Sequence, residues 1–390
     1  MKEARFFALV LLLALPGTAS AGRGDPELLP NFSRAAPSPR PAPAKSAPKG
    51  PAPVEPLEEL PEVVRPPKRT REPEDEDKVS RPKIVLRARA WMTAGSMDTR
   101  ISKLDYLIGE TEERGADGWM LVYSGEVAPL PWLSAEFQYG QDDPKGTYSD
   151  RFWVHAPDYL LFYPGTGAVW DHPDHEDDLV FTAAVSSRRD WVAGNLYVRV
   201  LELRNRRDNE PVWRETLDLA VGYERFRQDS SLDNLSVASN NGKYFSPGLA
   251  LGPVPGFASR YSAVWKGPHI GFRNELEVPY GFSFEGWFFY SPFMTYRGEG
   301  FDNLGSYWLP LRDSAPNLVD TAKGTAVHFQ LGARWDWKRL RLEAGYQRLY
   351  FYSRTGTRAF YGADGGVTNY QLDFATAEMS GFYAGAALRF

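Results

Sequence analysis

The chain has 390 residues, no cysteine, 31 prolines and a formal charge of −5. The lack of cysteine excludes disulfide frameworks, thiolate zinc sites, iron–sulfur clusters and cysteine nucleophiles. The acidic balance argues against nucleic acid as a partner, because binding phosphates requires a basic face. Aromatic residues make up 14% of the chain, and their uneven distribution carries much of the remaining information.

The first 82 residues predict a signal peptide for export, followed by a linker. A basic start and an uncharged apolar run from Phe6 to Leu15 lead to small residues ending at Ala21. This order is typical of a secretory signal peptide, which we place at residues 1–21. Residues 22–82 hold 15 prolines and a single aromatic residue, Phe32. We expect a disordered, proline-rich periplasmic linker there, with an unspecified periplasmic protein as its one suggested partner.

From residue 83 onward, apolar and polar residues alternate with period two, which predicts β-strands. Between Val327 and Trp337, for example, one face is continuously apolar and the other carries charges and glycine. An apolar outer face and aromatic residues at strand ends are typical of a membrane barrel. The predicted spanning strands are Ile84 to Ala94, Asp117 to Ala128, Trp132 to Gly140, one within Leu179 to Leu203, Glu215 to Arg227, His269 to Tyr280, Gly281 to Thr295, Ala326 to Trp337, Leu340 to Tyr352 and Ser380 to Phe390.

The connections between these strands alternate in length, as in outer-membrane barrels with short periplasmic turns and long outer loops. The predicted long loops are Gly95 to Ala116, Gln141 to Asp178, Gln228 to Pro268, Tyr296 to Thr325 and Ser353 to Met379. The sequence therefore predicts an all-β, transmembrane antiparallel barrel of about ten strands at residues 83–390. We place it in the outer membrane of a Gram-negative-type bacterium, with both termini periplasmic. Twelve strands result if Leu179 to Leu203 forms a hairpin.

Charged residues of both signs fall on the predicted inner face of this barrel. They are Arg273, Glu275, Glu277, Glu285, Arg334, Asp336, Arg341 and Glu343. Because ten strands enclose a narrow interior, we expect salt bridges to plug the lumen. The terminal Phe390 closes an alternating strand, which resembles the signal recognised by the barrel-assembly machinery and makes that machinery an expected partner.

Short matches, in order along the barrel, resemble the omptins, which are ten-stranded outer-membrane proteases with long extracellular loops. Ser102-Lys103-Leu104-Asp105-Tyr106 resembles the family's S-x-L-D-W segment. Pro164-Gly165-Thr166 with His172-Pro173-Asp174 is similar to its P-G-T…H-P-D loop. Ala220-Val221-Gly222-Tyr223-Glu224 resembles its A-G-Y-Q-E strand, and Glu277-Val278-Pro279-Tyr280 its M-P-Y turn. The resemblance implies the omptin fold.

Omptin catalysis uses a D-x-D pair and an Asp-x-His pair to activate a water molecule for peptide hydrolysis. The first place reads Ala156-Pro157-Asp158 here, and the second, Glu299 to Leu304, lacks histidine. The comparison of motifs therefore implies that omptin proteolysis is lost. An enzyme hypothesis stays open in which Asp158 acts with Asp171, His172 or His175, because a general-base histidine needs a carboxylate within reach.

Omptins also bind lipopolysaccharide through the outer barrel face near the extracellular rim. Tyr223 and Arg227 match positions of that motif, and Arg225 stands where an acid is usual. Strand parity places these side chains, and that of Arg348, on the lipid-facing side. We expect the arginines to pair with lipid A phosphates; the alternative is that they snorkel to the interface.

The stretch from Asp171 to Asp178 holds five acids and two histidines. Oxygen-rich clusters suit divalent cations. The candidate ligands of a loosely bound cation are Asp171, Asp174, Asp177 and Asp178. A solvated loop explains the same composition, and no cofactor is expected.

The leading function hypothesis is an outer-membrane surface or scaffold protein without omptin proteolysis, in contact with lipopolysaccharide. The alternatives are a surface protease that uses an aspartate/histidine-activated water, and a narrow channel.

Overall fold

The computed structural model describes residues 84–103, 106–152, 179–207, 210–240, 251–254, 259–302 and 316–390. The predicted signal peptide and linker lie outside these ranges. Within them the chain forms thirteen strands. They are β1 (Ile84–Lys103), β2 (Tyr106–Leu130), β3 (Leu133–Asp142), β4 (Lys145–Phe152), β5 (Leu179–Arg207), β6 (Glu210–Asn240), β7 (Gly252–Pro253), β8 (Ser259–Glu277), β9 (Phe282–Asp302), β10 (Leu318–Trp337), β11 (Leu340–Ser353), β12 (Gly356–Tyr361) and β13 (Val367–Arg389). No helix in these ranges is long and apolar enough to cross a membrane.

The strands close into an antiparallel barrel, because β1 pairs with β2 on one side and with β13 on the other. Two ring strands are interrupted. β3 and β4 follow one another between β2 and β5, and β11 and β12 do so between β10 and β13. The short β7 adds to β6 alone. The ring therefore has ten strands, which confirms the predicted barrel.

The twelve-strand alternative is wrong, because the stretch from Leu179 to Leu203 lies within the single strand β5. The charged sequence Arg188-Arg189-Asp190 in its centre is typical of a turn, yet inward and outward side chains continue to alternate through it. Arg189 and Trp191 are buried inside the barrel, whereas Arg188 is exposed. The buried guanidinium is neutralised by Asp142, whose carboxylate lies 2.6 Å away, so the strand does not need to end.

The strands are staggered around the ring. Following cross-strand partners once around from Ile84 leads back to β1 at Ser96, twelve residues further along. A stagger larger than the strand number tilts the strands strongly against the barrel axis. The ends of the barrel sequence meet, since Phe390 N–H donates to the carbonyl of Ile84 at 2.9 Å.

An apolar belt surrounds the barrel. On β1 its outward residues run from Ile84 to Met92, close to the length of about 9–11 residues that a tilted strand needs to cross a bilayer. Large exposed side chains of the belt include Leu86, Leu121, Tyr123, Phe137, Val221, Ile270, Phe284, Leu342, Phe382 and Leu388. We call the end of the barrel with Ile84 and Phe390 the turn end, and the opposite end the mouth end.

The predicted long loops are in large part strands that continue beyond the belt at the mouth end. β1 and β2 run through the stretch assigned to the first loop, and β6 is 31 residues long. The prediction was wrong because the alternation changes phase. Met92 is 45% exposed on the outer face, whereas Met97 is 9% exposed and faces inward, across a register shift between Thr93 and Met97.

Oppositely charged side chains fill the lumen near the turn end. Arg87 donates to Glu126 at 2.7 Å and to Glu136 at 2.6 Å. Arg273 joins the same group through Glu126 at 3.1 Å and Asp218 at 2.9 Å. Further members of this charged layer are Arg89, Glu275, Glu285, Arg334, Arg341 and Glu343. The lumen is plugged by salt bridges, as the sequence predicts.

A second layer closes the lumen toward the mouth end. We call Phe226, Trp265, Tyr296 and Phe351 the aromatic layer. All are at most 2% exposed, and Phe226 stacks on Phe351 with ring centroids 5.0 Å apart. Trp265 packs against Tyr296 at 4.7 Å. This aromatic packing closes the lumen. The cavity at the mouth end therefore has a closed base.

Candidate functional site at the mouth and the outer rim

Within the described part of the chain, the extended strands form a cleft above the aromatic layer, at the mouth end. β1, β2 and β4 form one wall, and β8, β9, β10 and β12 form the other. The enclosed space of the cleft amounts to about 100 Å³. Its lining combines aromatic, hydroxyl and charged side chains, a mixture typical of small-ligand sites.

Glu113 of β2 is a buried carboxylate in this lining. Its Oε1 accepts hydrogen bonds from Ser187 Oγ at 2.9 Å and Gln228 Nε2 at 2.8 Å. Its Oε2 accepts one from Ser230 Oγ at 3.0 Å. Burial raises the pKa of Glu113, and these uncharged donors, together with the charge of Arg189, act in the opposite direction.

A second polar cluster ties the opposite wall together. Arg358 of β12 donates to both oxygens of Asp320, each at 2.7 Å, and to Thr99 of β1 at 3.3 Å. Tyr261 donates to the same carboxylate and contacts the hydroxyl of Tyr296. Burial raises the pKa of Tyr261 well above its ordinary value, so the phenol stays protonated and keeps its role as a donor.

The outer face of β6 carries basic residues where the apolar belt ends. Exposed Leu219, Val221 and Tyr223 are followed toward the mouth end by Arg225 and Arg227. The structure thus brings together three of the four residues predicted to contact lipopolysaccharide. Their order, an aromatic ring and then guanidinium groups, places cations at the height where lipid headgroups lie against a barrel.

Lys266 of β8 belongs to the same face, directly opposite Arg225 in the strand pair. Lys266 falls outside the predicted strands, because the strand predicted there begins at His269 and leaves Lys266 in a loop. Arg227 also donates to Asp229 at 2.9 Å. We call the outward basic residues on β5, β6, β8 and β9 the basic rim: Arg188, Arg225, Arg227, Lys266 and Arg297.

Arg348 lies apart from the basic rim. It points outward on β11, as predicted, but β8, β9 and β10 separate that strand from β6 in the ring. Its Nε lies 2.9 Å from Glu378 of β13, and the outer face beside it carries Asp98, Glu110 and Glu112. Arg100 and Arg114 pair with these acids, and Asp190, Asp229 and Glu299 pair with three arginines of the basic rim. The excess positive charge of the basic rim therefore lies at Arg225 and Lys266.

The predicted catalytic and metal-binding residues lie outside the described part of the chain. They are Asp158, Asp171, His172, Asp174, His175, Asp177 and Asp178. These assignments stay predictions. In the part of the chain that is described, no three histidine or acidic side chains come together as metal ligands would.

A carboxylate does lie near a histidine inside the barrel. Glu224 Oε1 is 4.0 Å from His269 Nδ1 and accepts from Ser291 Oγ at 2.8 Å. The other ring nitrogen, Nε2, lies 2.6 Å from Asn195 Oδ1. These residues are at most 5% exposed and lie on the turn side of the aromatic layer, so a substrate entering the mouth does not reach them.

Comparison with known proteins shows the fold. No protein-family model and no curated protein sequence matches the chain. The crystal structure of the outer membrane protease OmpT from Escherichia coli matches with a TM-score of 0.57 and 14% identity, over 79% of this chain and 97% of that one.

Two other barrels match with a TM-score of 0.30, too low to support an argument. One is a FadL homologue from Pseudomonas aeruginosa, at 10% identity over 79% of this chain and 90% of that one. The other is the translocator domain of the autotransporter NalP from Neisseria meningitidis, at 9% identity over 80% and 91%. The chain is an omptin-like, ten-stranded β-barrel of the outer-membrane type.

Proposed function

We propose that this barrel is a surface scaffold of the outer membrane, held in contact with lipopolysaccharide and without omptin-type proteolysis. The observation that carries the proposal is the double closure of the lumen by the charged layer and the aromatic layer. A closed barrel conducts nothing, so its function resides in surfaces outside the membrane. The strands that continue beyond the belt supply such surfaces at the mouth end.

The basic rim supports contact with lipid phosphates. Arg225 and Lys266 are exposed neighbours on paired strands, and Tyr223, 52% exposed, lies next to them on the belt side. Guanidinium and ammonium groups pair well with phosphate. On the opposite side, Asp98, Glu110, Glu112 and Glu378 pair with Arg100, Arg114 and Arg348, so the lipid phosphate is expected at Arg225 and Lys266.

Lipopolysaccharide binding tests the lipid contact. The purified barrel in micelles is titrated with lipopolysaccharide, and binding is followed by native mass spectrometry. Arg225→Ala combined with Lys266→Ala should weaken binding by about tenfold, roughly the loss of two exposed charged contacts. Arg348→Ala serves as the matched control and should have a smaller effect. Equal binding by the double variant and the unmodified protein would refute the lipid contact.

Peptide cleavage separates the scaffold from the protease alternative. The full chain, folded with lipopolysaccharide, is incubated with peptides that contain dibasic sites. We expect no cleavage, because the sequence at the place of the omptin Asp-x-His pair contains no histidine. Cleavage that disappears in Asp158→Ala or His172→Ala would establish the enzyme instead.

A further inference from the structure

The mouth of the barrel presents a set of groups that no part of the proposed function uses. The aromatic residues Tyr148 of β4, Phe301 of β9 and Phe360 of β12 line the cleft. Thr99 and Thr111, on the paired strands β1 and β2 of one wall, add hydroxyl groups to the lining, with their Oγ1 atoms 2.5 Å apart. Aromatic faces next to hydroxyl groups suit a ligand with both C–H faces and polar edges.

The carboxylate of Glu113 has a lone-pair position that can accept a further hydrogen bond. A carboxylate offers about four lone-pair positions. Three are taken by Ser187, Gln228 and Ser230, two of them on Oε1 and one on Oε2. Since Glu113 lines the cleft, its Oε2 can accept one further hydrogen bond from a ligand hydroxyl.

The lining of the cleft carries charges of both signs. Arg358 is neutralised by Asp320 within the wall. Among the other lining residues, Arg260 carries a positive charge, and Glu113 and Asp150 carry carboxylates. A strongly cationic or anionic ligand would meet repulsion from one of these groups, whereas an uncharged ligand that both donates and accepts hydrogen bonds would not.

The floor of the cleft limits how a ligand can enter. The aromatic layer closes the lumen below Tyr261 and Arg358, so a chain cannot pass through. The enclosed space of about 100 Å³ is small, so only the end of a ligand fits between the walls. We propose that the mouth binds one end of an uncharged oligosaccharide, with a sugar ring stacked on Phe301 or Phe360 and its hydroxyl groups bonded to Glu113 and Arg260.

Binding of defined saccharides tests this site in the full-length protein, in a detergent without a sugar headgroup. The probes are maltohexaose and the dephosphorylated oligosaccharide released from lipopolysaccharide, which separates a free glycan from a membrane-derived one. A peptide with two adjacent arginines is the charged comparison. Isothermal titration and saturation-transfer NMR should detect at least one saccharide with a Kd below about 1 mM, as expected for a few hydrogen bonds and one stacked ring.

Two variants locate the site. Glu113→Gln preserves side-chain volume and should weaken saccharide binding by about fivefold, the effect of one hydrogen bond of ordinary strength. Phe301→Ala with Phe360→Ala should weaken it more. Phe293→Ala, on the outer face, and Arg225→Ala, in the basic rim, should leave it unchanged, which keeps this test separate from that of lipid contact. No saccharide binding up to about 10 mM, equal affinity in all variants, or preference for the arginine peptide would overturn the proposal.

Discussion

Asp98 illustrates how an outward side chain beyond the apolar belt behaves as a group at a protein surface. It lies on β1 beside Glu110 and Glu112 of β2, with Arg114 Nη2 3.5 Å from its carboxylate. Burial, followed by repulsion from the two glutamates, raises the pKa of Asp98 from 3.8 to about 6, although Arg114 acts in the opposite direction. The folded protein therefore favours the protonated form.

This raised pKa predicts a pH-dependent effect of Asp98→Asn. A carboxyl group whose folded pKa exceeds its unfolded pKa costs stability progressively as the pH rises from about 4 to 6. The variant should be more stable than the unmodified barrel by up to about 3 kcal/mol at pH 7.5 and equally stable near pH 3. Urea unfolding followed by tryptophan fluorescence measures both. A variant that is less stable at pH 7.5 would contradict the prediction.

Individual residues also show which orientations could be predicted from the sequence. Parity alone placed Tyr223 and Arg225 outside the barrel and Arg273 inside it, because lipid and lumen impose opposite polarity on alternate positions. Parity could not identify Glu113 or Lys266 as members of a site. Both lie beyond the belt, where water on the outer face removes the contrast between the two sides of a strand.

At the scale of strands, the phase change in β1 explains why loops were predicted in place of strands. Inside the belt, apolar residues such as Met92 face out to lipid. Beyond it, Met97 and Ile101 face in. β5 and β6 change in the same way, since Phe181 and Leu235 are buried. A single period-two pattern cannot describe both the part of a strand inside the belt and the part beyond it. A prediction based on this pattern therefore ends the strand at the edge of the belt.

The interruption between β3 and β4 is held by a buried ion pair. Asp142, the last residue of β3, accepts from Arg189 Nε at 2.9 Å and Nη2 at 2.6 Å. The same Nη2 donates to Thr93 of β1 at 2.8 Å. Both charged side chains are at most 1% exposed, so removal of one leaves the other charge without compensation.

The pair predicts strong non-additivity between two substitutions. Arg189→Leu should lower the unfolding free energy by about 3–5 kcal/mol, because the buried Asp142 carboxylate loses its counter-charge. Adding Asp142→Leu should recover most of that loss. Urea unfolding of both variants in the same micelles measures the difference. If the double variant is as unstable as Arg189→Leu, the pair does not act as described.

At the scale of the whole molecule, the two closed layers predict that the barrel does not conduct. In planar bilayers the full chain should show no steady unitary current, because ions cannot cross the charged layer and the aromatic layer. Deletion of residues 22–82 should not open it, and a wide porin reconstituted in parallel provides the positive control. Stable single-channel steps that survive this deletion would support the channel alternative.

The sequence predicted the architecture more completely than the site. Strand number follows from the alternation inside the belt, and the plugged lumen follows from charged inner faces such as those of Arg334 and Glu343. The mouth depends on tertiary arrangement: Arg358 and Thr99 are far apart in the sequence and meet only because β12 lies next to β13, which pairs with β1. No local pattern encodes such a contact.

The bond between Phe390 and Ile84 has a consequence for the order of folding. Every other pair of ring neighbours is consecutive in sequence or separated by one short strand, so its pairing closes a much shorter loop. The β1–β13 seam joins the two ends of the barrel sequence and carries the largest loop-closure entropy. It is therefore expected to form last, and until then both edges expose unpaired backbone groups. A factor that assists insertion has the most to contribute by holding this seam.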